Sequence, residues 1–251
     1  MAIPRFLCPA ALDAGAVGTK FALPETIAHH ALRVLRLAEG DRVALFTGSG
    51  GEFAATLVKA GKREALVRID AFDPVERESA LAVTLVQGVA ANDAMDHAVR
   101  RAVELGAAAI QPVLTERSAR LPDGERGAKR HAHWRQIVVA ACEQCGRNRI
   151  PDVRDTATLE HWLEDRAKAR NVAAPGLVLS PYAARPLADA PAPRAALDLL
   201  VGPDGGFAPE EIALAERAGM TAVRLGPRVL RTETAALAAL AACNALWGDF
   251  R

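Results

Sequence analysis

Two Gly-Pro turns late in the chain, Gly202-Pro203 and Gly226-Pro227, each follow a short apolar run. Together they restrict the possible folds more than any other feature. The run Leu197 to Val201 has the length and branched side chains of a buried strand, and the glycine-rich turn Gly202 to Gly206 breaks it. Pro209-Glu210-Glu211 then opens a helix: proline is tolerated where the first N–H groups lack partners, and acids suit the positive end of the helix dipole. Gly219 closes that helix. A second strand-like run, Thr221 to Leu225, ends at the second Gly-Pro. After Arg228-Val229-Leu230-Arg231, Thr232 is placed to cap an alanine-rich helix reaching about Trp247. Two strand-to-helix turns side by side are how α/β proteins build small-ligand sites.

Upstream, strands and helices alternate. Leu81 to Gln87, Ala109 to Leu114 and Leu177 to Ser180 read as strands. Met95, Ala98, Val99, Ala102 and Val103 recur at helical spacing, with Asp93 as the expected cap, Asp96 three positions on, and Gly106 as the stop. Trp134, Ile137, Val138, Ala141, Cys142 and Cys145 repeat the spacing as far as Gly146. Glu160 to Lys168 is a weaker helix, and Pro181 to Arg194 is a loop or short crossover. This alternation predicts a mostly parallel sheet covered by helices. Residues 1–73 read differently. Arg42 to Phe46 and Glu52 to Val58 flank Gly48-Ser49-Gly50-Gly51 as a hairpin, Glu64 to Phe72 adds a strand, and Glu25 to Leu35 forms a helix. A small β-barrel with one helical insertion fits, and Asp73-Pro74 is the expected boundary. The expected domains are 1–73 and 74–251.

Composition narrows the class. With 251 residues, 51% of them hydrophobic, the chain supports a sizeable core. No apolar run reaches the ~18 residues of a membrane span, and Met1-Ala2-Ile3-Pro4-Arg5 lacks the layout of a secretion signal. Four cysteines do not make a disulfide framework. A cytoplasmic protein without membrane attachment is the expectation. Net charge is +1, yet Arg117 to Arg154 holds nine Lys/Arg against four Asp/Glu. That surplus suits phosphate contacts or, as charge alone favours, a solvated face.

Other motifs carry alternatives. The Gly202 to Phe207 turn lacks G-x-G-x-x-G and a Walker lysine; from the turn alone, a ligand cradle and a plain tight turn read equally well. Cys142-Glu143-Gln144-Cys145 lies on an apolar helix face with no second pair, so core packing is the better reading and no metal is expected. His29-His30 and His131-x-His133 have no partner at ligand spacing. Arg33 and Arg36, three apart on the expected helix, form a face for a nucleic-acid backbone or for solvent.

Several segments together resemble one family. LVGPDGGFAPEE and RLGPRVLRTETAALAAL are similar to the cofactor-binding core of the SPOUT (α/β-knot) methyltransferases, and CEQCGRNRIP and HALRVLRL narrow this to the RsmE-type enzymes. The resemblance runs from Ile3 to Arg251. Asp204 stands where glutamate is common, keeping the charge; Cys145 stands where serine is frequent; and Ala91-Asn92 replaces a segment that usually carries a basic residue. The resemblance implies an α/β SPOUT domain with a mostly parallel sheet and a deep C-terminal trefoil knot behind a small PUA-like β-barrel. It implies methylation of the N3 atom of one uridine in 16S ribosomal RNA, S-adenosyl-L-methionine as cofactor, the small ribosomal subunit as partner, and a homodimer whose pockets are completed by the partner chain. The knot does not follow from periodicity, because chain connections almost never thread.

Carried onto this sequence, the cofactor contacts fall on Leu179, on Gly202, Pro203, Asp204, Gly205 and Gly206, and on Leu225, Gly226, Leu230 and Thr232. The uridine N3–H is weakly acidic, so its proton must leave at or before attack. Glu143 and Glu233 are the candidate bases, and Arg147, Arg228 and Arg231 the candidate stabilisers of the uracil anion; for Glu143 and Arg147 a helix-end ion pair is the alternative. Arg5, Arg33, Arg36, Arg147, Arg149 and Arg228 are the expected RNA contacts. Rival readings are a related enzyme acting on tRNA ribose, a binding-only protein of the same fold, and a nucleotide-binding protein with no RNA role.

Overall fold

Residues 3–8, 12–61, 64–121, 124–168 and 174–250 are described in this computed structural model. Met1-Ala2 and Arg251 lie outside them. The chain divides into two compact units, Met1–Glu78 with Cys142–Ile150, and Ser79–Ala141 with Pro151–Arg251.

In the first unit, alternation of apolar and polar residues produces strands with one buried face. The elements are β1 (Arg5–Leu7), β2 (Lys20–Ala22), α1 (Glu25–His29), β3 (Arg42–Phe46), β4 (Glu52–Ala60) and β5 (Ala65–Asp73). They form a five-stranded sheet in the order β1-β3-β4-β5-β2, parallel between β1 and β3 and antiparallel elsewhere. On β4, Phe53, Ala55 and Leu57 point inward and pack with Phe6, Leu45, Val67 and Ile69. The expected hairpin joins β3 and β4. Its Gly51 has φ 66°, and a Cβ there would lie 2.6 Å from the Phe72 ring, so both conformation and space demand glycine.

The expected helix from Glu25 to Leu35 is shorter and irregular. After α1 the chain takes a π-helical turn over His30–Val34. Arg36 lies beyond it at φ 56°, a left-handed conformation. Arg33 and Arg36 therefore do not share a helix face. A single turn of i→i+5 bonding ended the 3.6-residue period on which that pairing relied.

The second unit contains β6 (Ala82–Gly88), α2 (Asn92–Glu104), β7 (Ala109–Leu114), α3 (Glu125–Cys145), β8 (Asp152–Val153), β9 (Ala157–Thr158), α4 (Leu159–Lys168), β10 (Gly176–Leu179), β11 (Ala196–Val201), α5 (Pro209–Arg217), β12 (Met220–Val223) and α6 (Thr232–Trp247); the last residues of α3 fall in the Cys142–Ile150 segment. The strand order is β12-β10-β11-β6-β7-β8, with β9 also on β7, and every described pairing is parallel. The strands read as nearly continuous apolar runs because both sheet faces are covered. Val86, Val113, Val178 and Leu200 pack with Leu159 and Leu163 of α4 and Ala215 of α5. The α2 stripe Met95, Ala98, Val99, Ala102 and Val103 is fully buried. Each of its larger side chains contributes about 1.5–3 kcal/mol, so a charge at Val99 would detach this helix. Asn244 of α6, 2% exposed, donates to the Leu105 carbonyl at 2.7 Å, closing the end of α2.

Two expected caps differ. Asp93 is not the cap of α2: Ala91 holds that position, and its N–H donates to the Asp204 carboxylate at 2.8 Å. Thr232 is the first residue of α6 rather than its cap, which is Arg231. In both cases the local polar residue lost to a tertiary partner.

The expected boundary at Asp73-Pro74 coincides with the end of β5, whereas the first compact unit continues to Glu78 and includes Cys142–Ile150.

Candidate functional site

Because the strands of the second unit run parallel, their carboxyl ends share one sheet edge. Val201 pairs with Gln87, and Leu179 pairs with Val223. The segments that follow these strands, Gly202 to Gly206, Ser180 onward, and Arg224 to Leu230, therefore emerge side by side in the order set by β12-β10-β11-β6. This is the crevice at which open α/β sheets place ligands.

A buried amide fixes the crevice. Gln87, fully buried, directs its Nε2 to the Gly202 carbonyl at 3.2 Å, the Gly88 carbonyl at 2.9 Å and the Thr232 hydroxyl at 2.9 Å. The Thr232 hydroxyl in turn donates to the Gly202 carbonyl. The glycine turn after β11 and the first residue of α6 are thus joined through the last turn of β6. Gly88 permits the approach: a Cβ there would lie 2.6 Å from Pro203 Cδ. The Gln87 Oε1 is buried with no hydrogen-bond partner in the described chain.

The turn is held from its other side as well. Asp204 is exposed, yet its carboxylate accepts the Ala91 N–H. The Gly205 carbonyl accepts from Arg117 Nη1 at 3.1 Å. Glu211, 7% exposed, accepts from the N–H of Ala208 at 2.8 Å and of Glu116 at 2.9 Å. On the β12 side, the Arg224 backbone N–H donates to the Arg185 carbonyl at 2.9 Å, and its carbonyl accepts from Leu187 at 3.0 Å. Leu179, Leu225 and Leu230 are half-buried, and Gly226 at φ 77° turns the chain outward. The backbone N–H groups of Leu225, Gly226 and Leu230 donate to nothing within the described chain. Half-buried leucines, unspent backbone donors and one orphaned buried oxygen fit a ligand with an apolar body and a hydrogen-bonding rim.

A model of an RNA methyltransferase domain matches residues 77–244, and one of an RNA methyltransferase PUA domain matches residues 23–70. The ribosomal RNA small subunit methyltransferase E of Mycobacterium bovis is 35% identical over 221 residues, covering 86% of this chain and 83% of that one. The chain belongs to the ribosomal RNA small subunit methyltransferase E family. Two solved structures resemble it over the full length of both chains. The methyltransferase E of Neisseria gonorrhoeae, crystallised with S-adenosyl methionine, has TM-score 0.89 and 39% identity. A methyltransferase of Legionella pneumophila, in complex with its cofactor SAM, has TM-score 0.91 and 35% identity.

With the family established, the remaining expected site residues divide between the two units. Glu233 and Arg231 stand at the start of α6, the first half-buried and the second exposed, and Arg228 is exposed on the loop before it. Glu143, Arg147, Arg149 and Arg5 belong to the first unit and are engaged there. Glu143 accepts the Leu7 N–H at 3.0 Å. Arg147, 4% exposed, clasps the Glu78 carboxylate with Nε at 3.0 Å and with Nη2. The ion pair of Arg147 is thus with Glu78, at the end of the first segment of this unit. Arg149 holds Glu76 with Nε at 3.0 Å and Nη2 at 3.2 Å. Arg5 pairs with Glu52 and reaches Asn148 Oδ1 at 2.6 Å and the Gly146 carbonyl at 3.1 Å. These arginines brace the CEQCGRNRI segment.

Burial pushes the Cys142 thiol up to about 12, and that thiol donates weakly to the Arg149 carbonyl at 3.7 Å, consistent with packing and inert chemistry. Among the described residues, no cluster of three or more His, Cys, Asp or Glu is placed to hold a metal ion, and no helix is long and apolar enough to cross a membrane. Sequence reasoning missed Gln87, Glu211 and Arg117. The one available signal was a glutamine interrupting an otherwise apolar strand.

Proposed function

We propose that this chain methylates the N3 atom of one uridine in 16S ribosomal RNA, taking the methyl group from S-adenosyl-L-methionine. The observation that carries the reading is the double turn at the sheet edge, locked by Gln87 and Thr232 and lined by unspent backbone donors. When bound, the cofactor supplies an electrophilic methyl group on a sulfonium. Gly202 to Gly206 and Leu225 to Leu230 would hold its adenine edge through backbone groups, with Leu179, Leu225 and Leu230 as walls. Pro203 and Pro227 stiffen both turns, so little order is lost on binding.

Most of the rate gain in such a displacement comes from alignment of nitrogen, carbon and sulfur. The new N3–carbon bond forms as the carbon–sulfur bond breaks and its electron pair returns to sulfur. The N3 proton goes to a carboxylate, and we assign Glu233 to that role, with Arg231 and Arg228 as cations for the uracil anion. Glu143 spends one oxygen on Leu7, and Arg147 spends its guanidinium on Glu78. In this reading both shape the first unit rather than the reaction. The target base is extruded from the RNA to reach the crevice.

The same reading includes a PUA-like RNA-binding barrel over residues 1–73, supported by the strand order β1-β3-β4-β5-β2, and a methyltransferase domain over 74–251. It includes a C-terminal trefoil knot of the SPOUT type, supported by β12 lying outside β10 and by the backbone bonds that tie Arg224 beneath the 185–187 segment. A cytoplasmic homodimer acting on the small ribosomal subunit completes it. The test is transfer of labelled methyl to small subunits that lack this modification, followed by mapping of the product. Label on N3 of a single uridine is the expected result. Label on tRNA alone would keep the fold and discard the target, and cofactor binding without any label would leave a binding protein.

A further inference from the structure

The loop that leaves β7, Thr115-Glu116-Arg117-Ser118-Ala119, is held more firmly than its place on the surface requires. Thr115 N–H donates to the Ser118 hydroxyl at 2.9 Å, and Ser118 N–H returns to the Thr115 carbonyl at 3.2 Å. Glu116 N–H donates to the Glu211 carboxylate at 2.9 Å, and Ala119 N–H to the Val89 carbonyl at 2.8 Å. The loop is thereby tied to itself, to the start of α5 and to the segment after β6. Backbone so constrained gives the exposed Arg117 a fixed origin. Its stem then lies on the glycine turn. A Cβ on Gly205 would stand 3.0 Å from Arg117 Cβ and 3.2 Å from its Cδ. Gly205 is not in the left-handed region, so it is the close approach of the arginine, not backbone conformation, that calls for glycine there.

The head of this side chain is only partly spent. Nη1 donates to the Gly205 carbonyl at 3.1 Å. A guanidinium carries further N–H groups, and those of Nε and Nη2 lie along one edge in the spacing of a carboxylate or phosphate. On Arg147 and Arg149 that edge clasps Glu78 and Glu76. On Arg117 it meets no acceptor among the described residues, and no described carboxylate stands at ion-pair distance. Asp204, next to Gly205, turns an oxygen to the Ala91 N–H instead. The charge is thus anchored on a neutral carbonyl and left uncompensated, with the fork that recognises oxyanions open. In the proposed reaction the uracil anion forms inside the crevice, where water is excluded, whereas the RNA phosphates stay hydrated at its rim. Arg117 is exposed, so its open edge suits a phosphate.

We propose that Arg117 is a substrate-positioning residue whose open Nε–Nη2 edge takes a backbone phosphate beside the target uridine, while Nη1 ties that grip to the glycine turn. The inference rests on the RNA substrate proposed above. Arg117→Gln removes the charge, and Arg117→Lys keeps the charge without the two-pronged edge. Arg117→Gln should raise the KM for small subunits about tenfold or more, with kcat and the calorimetric cofactor affinity as in the parent. Its salt slope for binding a 16S RNA fragment should fall by about 0.7–0.9, whereas Arg117→Lys should keep the parental slope. A neutral methylphosphonate, placed in turn at each phosphate flanking the uridine, should weaken binding by the parent at one position and cost Arg117→Gln nothing further there. An unchanged KM and slope in Arg117→Gln, or no such position in the scan, would overturn the proposal and leave Arg117 as a brace of the turn. A fall in kcat with KM and slope at parental values would move Arg117 to the uracil anion, and a fall in cofactor affinity alone would move it to the cofactor; either result overturns the proposal. A parent that binds cofactor but neither binds nor methylates RNA would overturn the underlying reading as well.

Discussion

Arginine is used in two ways in this molecule. In the first unit Arg5, Arg77, Arg147 and Arg149 each meet a carboxylate: Glu52 for the first two, Glu78 and Glu76 for the others. Arg77 and Arg5 both also donate to the Gly146 carbonyl. At the sheet edge of the second unit, Arg228 and Arg231 are exposed and form no ion pair among the described residues, and Arg117 has only a carbonyl. The second unit is not without the first pattern, since Arg166 is buried against Asp198 at 3.0 Å. The difference lies in the job. Where a guanidinium is spent on a carboxylate of its own chain it holds chain to chain; where it has none it keeps its affinity for an external anion. A charge count along the sequence cannot separate the two.

The sharpest way to break the comparison is Glu78→Ala. It takes away the carboxylate that the buried Arg147 guanidinium clasps, and unfolding in urea should show a loss of about 3 kcal/mol. A loss below about 1 kcal/mol would mean the pair is solvent-screened in practice and ranks with surface ion pairs. Next comes the sheet edge itself. Gln87→Leu removes the amide joining Gly202 to Thr232, and Gly88→Ala forces a methyl against Pro203. Either should weaken cofactor binding tenfold or more in calorimetry, about 1.4 kcal/mol; parental affinity in both variants would deny the crevice its role. A smaller effect is expected of Arg228→Gln, which should lower the salt slope of RNA binding by about 0.7–0.9 while the urea midpoint stays at the parental value. Arg149→Gln, by contrast, should leave that slope alone, and a matching fall there would erase the distinction between the two arginine classes.

The smallest effect concerns pH. Burial alone would raise the Glu52 carboxyl, but its hydrogen bonds and charge contacts with Arg5 and Arg77 win and hold it below the ordinary value of 4.5. The stability it lends is complete above that value and is lost as pH falls through the lower folded value. Glu52→Gln should flatten the acid limb of a stability-versus-pH curve. Asp198 runs the other way, raised by burial against the pull of Arg166, so its contribution declines as pH rises through the carboxylate range. Chemical denaturation between pH 3 and 7 would separate them, and an acid limb unchanged in Glu52→Gln would remove the clasp from the account.

Much of the second unit was legible because its signals are local. The α2 stripe, the strand Ala109–Leu114 and the glycine turn are set by neighbours within a dozen residues, and all stand where periodicity put them. What stayed hidden depends on distant partners. Asp204 meets Ala91 across 113 residues, Arg147 meets Glu78 across 69, and Gln87 meets Thr232 across 145. The first and last stand where sequence rules favour a local role, the Asp93 cap and the Thr232 cap. The Arg33–Arg36 pairing failed for another reason, a π-helical turn that no residue in HALRVLR announces.

The direct bond from Thr232 to Gly202, shared by Gln87, sets when the frame of the site is completed during synthesis. Its three partners come from the middle of the chain, from the end of β11 and from the start of the last helix. A nascent polypeptide that has exposed everything up to Arg231 has both glycine turns and every strand, yet its crevice lacks the hydroxyl that ties them. The hydrogen-bonded frame of the crevice is therefore closed late, when α6 emerges and docks. The crevice is in this sense the last feature of the sheet edge to be written, although its first strand, β6, opens the second unit.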